Sequence, residues 1–451
     1  MPDPRGTLVA EATPPGRGSL RVVRLSGEGA LALLRALFEP EGFAPWDHPR
    51  RLCLGTIQDQ AGTAMDEGLA VYFAAPASFT GEEMAEFQCH GSPGVVEALK
   101  AACVALGARP ALPGEFSFRA FLNGKLSLPD AEAVQALTAC ETALQARACG
   151  PEAARGLSRR AAGWRDRLLD VMASWEARLD FPEDAPALAG AERAGALAEL
   201  SAELGELLEA AGRARPLRRG WRVALCGPPN SGKSSLFNAL LQRERALVTP
   251  HPGTTRDVIE EAVDLEGLPV VLLDTAGVRA PGDPVEALGI ERGLAAAREA
   301  DGVLLLWDGS RGWDEETQRL LETLSEKLVA AVETRADLGP SAGDAPAGVP
   351  GFRVSNTTGE GLAALAAHLA AWARRTLPAG GLLLLNDRQL SALAEARRAC
   401  DGAEALLAAG ESEEVALQEL RAARRALDDL LGGSDPEALY DRVFRAFCIG
   451  K

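Results

Sequence analysis

Residues 227–234 have the composition of a loop that binds phosphate groups. They read Gly-Pro-Pro-Asn-Ser-Gly-Lys-Ser, which matches the pattern GxxxxGK[ST]. A short apolar run, Trp221–Cys226, precedes this loop, and a helical segment, Ser235–Leu241, follows it. Glycines allow backbone N–H groups to surround phosphates, and the N-terminus of the following helix favours negative charge. We therefore expect Lys233 to reach the β- and γ-phosphates and the Ser234 hydroxyl to bind Mg²⁺.

Three further segments favour GTP over ATP as the nucleotide. Residues 274–277, Asp-Thr-Ala-Gly, close an apolar strand and place a carboxylate near the Mg²⁺ shell and a glycine N–H near the γ-phosphate. Residues 253–257, Gly-Thr-Thr-Arg-Asp, form a plausible switch loop in which Thr255 completes the metal site. Residues 334–337, Thr-Arg-Ala-Asp, follow a strand where GTPases carry [NT]KxD. Asp337 would accept two hydrogen bonds from the guanine edge, a donor pair that adenine lacks.

Val278 occupies the position at which many small GTPases carry a glutamine that orients the attacking water. An apolar side chain cannot orient water. Hydrolysis is therefore slow, or the water-positioning group and the positive charge come from elsewhere. The residues of this loop leave both alternatives open.

The composition limits the class of protein. With 451 residues, the chain is long enough for about three domains of ordinary size. A net charge of −17 disfavours broad charge-driven binding to nucleic acid, although it allows a local basic patch or a partner that binds the nucleic acid. The eight cysteines include no CxxC pair and there are four histidines, so local spacing predicts no zinc site. The chain shows no apolar signal segment and no run of about 18 apolar residues, so we expect a cytoplasmic protein without a membrane span.

The order of predicted helices and strands divides the chain into four segments. Residues 1–119 contain β-type runs separated by Pro and Gly, and we expect an α+β domain there. Residues 120–214 and 379–451 have helical patterns, whereas residues 215–378 alternate strand and helix. The sequence thus predicts a multidomain α/β protein in which a P-loop domain is inserted into an all-α domain.

Hydrophobic spacing locates individual elements. Short apolar runs predict strands at Leu20–Leu25, Leu69–Phe73, Trp221–Cys226, Val270–Asp274, Gly302–Trp307 and Leu328–Glu333. Apolar residues at helical spacing predict helices over Ser92–Leu106, Asp130–Cys149, Leu157–Leu179 and Ala191–Arg213.

Several short segments outside the P-loop domain have distinctive sequences. They are Ala12–Gly18, Phe79–Glu82, Cys89–Gly91, Pro113–Phe116, Arg119–Leu126, Leu179–Glu183 and Cys448–Lys451. Together with the P-loop, they resemble the MnmE/TrmE family of tRNA-modification GTPases. The likeness extends over essentially the whole chain.

This resemblance implies a folate-binding, dimerising N-terminal domain, a helical domain split in the sequence and an inserted G domain. It implies a homodimer that forms a heterotetramer with an FAD-dependent MnmG/GidA-type flavoprotein. The implied reaction adds a carboxymethylaminomethyl or aminomethyl group to C5 of the wobble uridine of certain tRNAs. The carbon comes from 5-formyl- or methylene-tetrahydrofolate. We expect the partner to make most of the contact with tRNA.

The resemblance also implies roles for individual residues. Arg24, Glu86, Lys125 and Lys451 match positions that contact folate. A pterin edge suits a carboxylate, and the glutamate tail of folate suits cations. Glu286 matches the glutamate that orients water in this family.

Family members use K⁺ in place of an arginine finger. Asn230 matches the asparagine that binds this ion, and Thr249, His251 and Thr254 match positions that contact it through the backbone. In this family, two G domains face each other in the active state, so hydrolysis would be coupled to their approach.

The predicted nucleotide site therefore draws on several segments. Its expected catalytic residues are Lys233, Asn230 and Glu286, and Mg²⁺ is expected at Ser234 and Thr255. The residues expected to contact GTP are Asn230, Ser231, Gly232, Lys233, Ser234, Ser235, Thr249, Thr254, Thr255, Asp274, Thr275, Ala276, Gly277, Thr334, Arg335, Asp337, Ser355, Asn356 and Thr357.

Two segments depart from the family pattern. Residues 334–337 replace the usual NKxD, and we expect weakened guanine affinity rather than lost specificity. Residues 355–357, Ser-Asn-Thr, replace the usual Ser-Ala-containing loop near the base, where the backbone contact survives.

Other functions remain open at this point. A regulatory switch of the ribosome-assembly type would lack the folate pocket and the terminal Cys448–Lys451 segment. A nucleotide-binding relative with degraded catalysis would show no normal GTP turnover. For Cys448 we favour a role in packing or in positioning the tail, because no neighbouring residue in the sequence indicates an activated thiol. For His90 we favour a role in the local turn over acid catalysis.

Overall fold

The computed structural model describes residues 6–180, 190–247, 259–274, 294–339, 343, 348–378, 382–433, 440 and 443–450. The chain divides into two compact units, each assembled from separate segments. The first unit comprises Met1–Gln135, Ala154–Ser201 and Glu395–Lys451, and the second comprises Ala136–Ala153 and Ala202–Ala394. No helix in the described part of the chain is long and apolar enough to span a membrane.

The helices are numbered here in chain order. They are α1 (Ala30–Leu37), α2 (Pro93–Ala105), α3 (Glu115–Leu122), α4 (Leu128–Thr138), α5 (Ala143–Cys149), α6 (Pro151–Asp180), α7 (Gly190–Arg219), α8 (Lys233–Arg243), α9 (Glu315–Leu324), α10 (Leu362–Thr376), α11 (Asp387–Ala408) and α12 (Glu413–Leu431). Residues 294–299 are also helical. Short 3₁₀ turns lie at Ser325–Lys327, Ala336–Leu338 and Phe444–Ala446.

The first unit contains a seven-stranded, mostly antiparallel sheet. Its strands are β1 (Leu8–Glu11), β2 (Leu20–Ser26), β3 (Phe38–Pro40), β4 (Cys53–Gln58), β5 (Ala64–Phe73), β6 (Met84–His90) and β7 (Arg109–Pro110). The order across the sheet is β3-β4-β5-β6-β2-β1-β7, and the β1–β7 pair is parallel. Helices α1 and α2 cover one face, where Leu34 and Leu99 join Val23, Leu25 and Phe87 in a buried cluster. Alternate residues of the strands form this face, which confirms the strands predicted at Leu20–Leu25 and Leu69–Phe73.

The C-terminal end of the chain packs within the same unit. Phe444, in the last 3₁₀ turn, makes an edge contact with Phe118 of α3 at a ring separation of 5.2 Å. The backbone N–H of Gly114 donates to the carbonyl of Cys448 over 3.3 Å. Residues close to the C-terminus are therefore fixed beside the sheet that the first residues of the chain build.

The second unit contains a seven-stranded sheet with a parallel centre. Its strands are β8 (Trp221–Cys226), β9 (Arg245–Leu247), β10 (Ile259–Leu265), β11 (Leu268–Asp274), β12 (Gly302–Asp308), β13 (Leu328–Thr334) and β14 (Gly351–Arg353). The order is β14-β13-β12-β8-β11-β10-β9, with β10 antiparallel to both of its neighbours. Successive residues of β8 enter two different buried clusters, so both faces of the sheet are covered. This double burial explains why the strands read as continuous apolar runs, and it confirms the strands predicted there.

The sheet brings the carboxyl ends of four parallel strands to one edge. The phosphate-binding loop follows β8, Asp274 ends β11, Asp308 ends β12 and Thr334 ends β13. Loops that follow parallel strands meet at such an edge, which is where open α/β sheets bind ligands.

One predicted helix is interrupted. The pattern over Asp130–Cys149 predicts continuous helix, but α4 ends at Thr138 and α5 begins at Ala143. Thr142 caps α5, because its hydroxyl accepts from the N–H of Gln145 while the Gln145 side chain accepts from the N–H of Thr142. This capping box marks a helix start inside the apolar pattern. The prediction of one helix was wrong because it used the hydrophobic period alone.

The contact between Gly91 and Gly18 generates a prediction about stability. A Cβ at Gly91 would lie 1.9 Å from the carbonyl oxygen of Gly18, so the backbone would have to move. We expect Gly91→Ala to lower the free energy of unfolding by about 2–4 kcal/mol, as measured by chemical denaturation of the full chain. Gly94→Ala is the matched control, since Gly94 lies in the first turn of α2 with its nearest neighbour 3.7 Å away. Equal stability of the two variants would contradict the prediction.

Candidate nucleotide-binding site

The phosphate-binding loop connects β8 to α8, as its sequence predicts. Gly227 has φ +154°, and a Cβ there would lie 2.2 Å from the carbonyl oxygen of Leu306 in β12. Asn230, in the middle of the loop, also has a left-handed backbone with φ 62°. The loop therefore combines a close approach to the sheet with conformations that few residues adopt, and both features explain its composition.

Lys233 is the first residue of α8, and its side chain is largely buried. Its Nζ donates to the carbonyls of Gly227 at 2.9 Å and Pro228 at 2.8 Å. Burial lowers the pKa of Lys233 below its usual value, and the charge of Asp274 opposes this lowering. Asp274 is itself buried at the end of β11. The loop thus holds a cation with a compensating carboxylate nearby, an arrangement suited to phosphate and a divalent metal.

Thr334 connects the end of β13 to the phosphate-binding loop. Its buried Oγ1 lies 2.9 Å from the carbonyl oxygen of Ser231 and 3.0 Å from that of Trp307. A hydroxyl carries one proton, so it donates to one of these carbonyls at a time. The first residue of the predicted guanine motif therefore positions the P-loop backbone.

Arg335 follows with a left-handed backbone, φ 61°. Its Nη1 lies 2.8 Å from Oδ2 of Asp308, and its Nη2 donates to the carbonyl of Asn230 over 3.2 Å. Asp308, at the end of β12, is almost fully buried. The guanidinium therefore connects the guanine motif both to the sheet and to the phosphate-binding loop.

Asp337 and Ser355 form the next pair. The buried hydroxyl of Ser355 donates to Oδ1 of Asp337 over 2.6 Å and accepts from the N–H of Thr358 over 3.1 Å. The hydrogen bond from Ser355 is the main reason why the pKa of Asp337 lies below its usual value. Asp337 is exposed, so its second carboxylate oxygen can accept hydrogen bonds from a ligand.

A cavity of about 490 Å³ lies between these segments. Its lining includes six residues that the sequence predicts to contact nucleotide: Gly232, Ser235, Arg335, Asp337, Asn356 and Thr357. Four others, not predicted from the sequence, also line it: Asn238, Ala239, Gln242 and Leu338. Three of these lie on α8, whose position in the fold follows from the P-loop. These three residues share one face of α8, so helical spacing could have identified them.

Some predicted nucleotide-site residues lie outside the part of the chain that the structure describes. They are Thr249, His251, Thr254, Thr255, Thr275, Ala276, Gly277 and Glu286. Lys451, predicted for folate, also lies outside it.

A second cavity, of about 240 Å³, lies in the first unit. It is lined by Arg24, Phe73, Phe79, Met84, Glu86 and Val134. Arg24 donates through Nε to Oε1 of Glu86 over 2.7 Å and through Nη1 to the carbonyl of Gly450 over 3.1 Å. The cavity therefore joins an apolar wall to an ion pair, which suits a flat ring with a polar edge.

Lys125, the other described residue predicted for folate, has a different position. Its Nζ donates to the carbonyl of Pro76 over 3.0 Å, and it does not belong to the lining of the cavity that contains Arg24 and Glu86. The structure therefore brings two of the predicted folate residues together and places Lys125 outside that group.

Comparison with known proteins tests the resemblance. The family profile described as "GTP-binding protein TrmE N-terminus" matches residues 7–125, and the profile "MnmE helical domain" matches residues 128–448. A tRNA modification GTPase MnmE of Thermus thermophilus is 44% identical over 452 residues, which cover 98% of this chain and 99% of the relative.

The chain belongs to the MnmE/TrmE family of tRNA-modification GTPases. Another relative with the same description, from Synechococcus sp. strain RCC307, is 42% identical over 98% of this chain and 97% of its own. Among solved structures, the G domain of the FeoB iron transporter of T. maritima is 29% identical and aligns over 34% of this chain and 98% of its own, with a TM-score of 0.26. The family profiles and the two relatives confirm the predicted family and enzyme class, and the profiles together with the two sheets confirm the mixed α/β multidomain fold.

Asp308 is a further residue beside this site that the sequence analysis did not predict. The strand prediction ended at Trp307, one residue too early. The run Trp307-Asp308-Gly309-Ser310 places a carboxylate at the carboxyl end of a buried parallel strand. The rule that ligands bind at such ends could have identified it.

The Asp337–Ser355 pair predicts how nucleotide binding depends on pH. The carboxylate form accepts guanine N–H groups, so binding weakens as pH falls through the pKa of Asp337. Ser355→Ala removes the hydrogen bond that lowers this pKa, so the pKa rises and binding weakens at a higher pH than in the native protein. We also expect GDP affinity at pH 7 to fall about three- to tenfold, measured by titration with a fluorescent GDP.

Thr358→Ala is the matched control, because Thr358 contacts Ser355 through its backbone, which the substitution retains. An unchanged pH profile in Ser355→Ala would show that this hydroxyl does not set the behaviour of Asp337.

Proposed function

We propose that this chain hydrolyses GTP to drive the modification of C5 of the wobble uridine in certain tRNAs, together with an FAD-dependent MnmG/GidA-type partner. The group added is carboxymethylaminomethyl or aminomethyl, and its carbon comes from 5-formyl- or methylene-tetrahydrofolate. Membership of the family along nearly the whole chain is the observation that carries this proposal. The cavities in the two units support it, because their residues suit a nucleotide and a folate respectively.

In the nucleotide site, Lys233 binds the β- and γ-phosphates, and two of its three Nζ donors meet the carbonyls of Gly227 and Pro228. Asp337 accepts hydrogen bonds from the guanine edge with the carboxylate oxygen that Ser355 does not contact. Mg²⁺ would be held by Ser234, Asp274 and Thr255, the last of which lies outside the described residues. The buried carboxylate of Asp274, near Lys233, fits this role. When bound, Mg²⁺ neutralises charge that develops on the phosphate oxygens.

Catalysis is proposed to depend on Asn230, Lys233 and Glu286. Asn230 would bind K⁺ with its side chain, and Thr249, His251 and Thr254 with their backbones. The left-handed backbone of Asn230, held by Arg335 at its carbonyl, supports a defined position for this side chain. When bound, K⁺ supplies positive charge beside the phosphates. Glu286 would orient the water, the task that Val278 cannot perform.

In the first unit, Arg24 and Glu86 would bind folate, with Lys125 and Lys451 as further cationic contacts. The Arg24–Glu86 ion pair at the cavity wall supports a polar edge for the pterin, and the phenylalanines supply a face for its ring. The carbonyl of Gly450 contacts Arg24, which places the terminal segment near this cavity. When bound, the folate supplies the one-carbon unit.

The assembly and the domain boundaries complete the proposal. We assign residues 1–119 to a folate-binding, dimerising domain, 120–214 and 379–451 to a split helical domain, and 215–378 to the G domain. The active form would be a cytoplasmic homodimer whose G domains approach each other, joined in a heterotetramer by the flavoprotein. A net charge of −17 supports a complex in which the partner makes most of the tRNA contact.

Potassium dependence gives the first test of the proposed mechanism. We expect GTP hydrolysis by the full chain to be about tenfold or more faster in KCl than in matched NaCl, with no ATP turnover. Asn230→Gly should abolish the stimulation, because it removes the amide while glycine accepts the left-handed backbone. Thr358→Ala is the control variant and should keep the stimulation. Equal native rates in both salts would exclude the potassium mechanism.

Folate binding gives a separate test. We expect the full chain to bind 5-formyl-tetrahydrofolate in calorimetric titration, and Glu86→Gln to weaken this binding about tenfold by removing the charged partner of the pterin edge. Deletion of Lys451 should also weaken it. His90→Ala is the control, since His90 ends the same strand with an exposed side chain. GTP turnover without folate binding would instead indicate a regulatory switch.

A further inference from the structure

Asp308 lies where the two halves of the nucleotide site approach each other. It is the last residue of β12, which lies between β8 and β13 in the sheet. The phosphate-binding loop follows β8, and the guanine motif begins at the end of β13, where Thr334 is the register partner of Asp308. A carboxylate at this position lies next to both loops.

The two oxygens of Asp308 have different partners. Oδ1 accepts from the N–H of Ser310 at 3.0 Å and from its hydroxyl at 2.6 Å, which closes the turn after β12. Oδ2 lies 2.8 Å from Nη1 of Arg335 and forms an ion pair without the alignment of a hydrogen bond. The exposed Arg311 is more distant, with its Nε at 3.8 Å from the same oxygen. Asp308 is 6% exposed whereas Arg335 is 43% exposed, so the carboxylate is the fixed member of the pair.

Arg335 also contacts the phosphate-binding loop. Its second terminal nitrogen donates to the carbonyl of Asn230 over 3.2 Å. Both residues have left-handed backbones, with φ 61° at Arg335 and 62° at Asn230. Residues other than glycine adopt this conformation at a cost, so surrounding contacts must stabilise it. The planar guanidinium satisfies two partners at once, which a lysine ammonium at this position could do only with less defined geometry.

We propose that Asp308 is a positioning residue of the nucleotide site, which acts through Arg335 to fix the phosphate-binding loop at Asn230. Asp308 is absent from the lining of the nucleotide cavity that the described residues form. The buried carboxylate positions the guanidinium of Arg335, and the guanidinium in turn positions the Asn230 carbonyl. Removal of the carboxylate charge leaves the turn at Ser310 intact, because an amide oxygen can still accept both of its hydrogen bonds.

The test compares Asp308→Asn, Arg335→Gly and the double variant in the full chain. Arg335→Gly removes the side chain without straining the left-handed backbone. We expect each single variant to raise the dissociation constant of fluorescent GDP about tenfold, and the double variant to bind no more weakly than either single one. Arg311→Ala is the matched control, since it removes the other arginine near Asp308 and should leave the affinity unchanged.

Inosine diphosphate separates this role from recognition of the base. Inosine lacks the 2-amino group of guanine, so its binding depends less on Asp337. Asp308→Asn and Arg335→Gly should weaken the binding of GDP and of inosine diphosphate by the same factor. Ser355→Ala should instead change the ratio of the two affinities.

The proposal is overturned if Arg335→Gly binds GDP as tightly as the native protein does. It is also overturned if the effects of Asp308→Asn and Arg335→Gly on the free energy of GDP binding are additive, or if Arg311→Ala weakens GDP binding as much as Asp308→Asn does. Should Asp308→Asn fail to fold, Arg335→Lys is the second variant, because it keeps a cation beside the cavity but loses the planar guanidinium that meets both Asp308 and Asn230. Native-like GDP affinity in Arg335→Lys would overturn the proposal.

Discussion

The nucleotide site is organised around a lysine that is buried in the loop expected to bind anions. The carbonyls of Gly227 and Pro228 accept hydrogen bonds from Lys233, and the charge of Asp274 opposes the lowering of its pKa by burial. A buried cation without such partners would be costly. The loop must therefore keep its carbonyls in fixed positions, which requires the close approach of Gly227 to β12. The parallel sheet supplies this rigidity by placing β8, β11 and β12 side by side.

The need to hold the carbonyls of the phosphate-binding loop in place also explains the contacts of the unusual guanine motif, residues 334–337. In the common motif an asparagine amide with two donors stands where this chain has Thr334, whose hydroxyl has one. The Thr334 hydroxyl can therefore donate to the carbonyl of Ser231 or to that of Trp307, but not to both at once. Arg335 adds a second connection, to the carbonyl of Asn230 and to Asp308. The departure at the first position is accompanied by these two contacts of Arg335 at the second, so the loop remains connected to both β13 and β12.

The sequence predicted the parts of the structure that depend on local rules. The P-loop follows from glycine spacing between a strand and a helix, and the strands of the second sheet follow from continuous apolar runs. The break at Thr142 also has a local signal, a capping box, that hydrophobic spacing hides. The Arg335–Asp308 pair and the apolar wall around Arg24 were not predictable in this way. They join residues distant in the sequence through sheet order, which no local pattern encodes.

The cavity lined by Arg24 and Glu86 shows how long-range contacts build a pocket. Arg24 comes from a strand near the start of the chain, whereas the carbonyl it contacts belongs to Gly450. The backbone of Gly114 contacts Cys448 in the same tail, so the terminal segment is held at two points. Because Glu86 occupies one side of the Arg24 guanidinium and Gly450 another, the tail helps to set the direction in which Arg24 can meet a ligand. The contact at Cys448 is made by its backbone carbonyl, whereas its thiol is exposed, so the main chain holds the tail at this point.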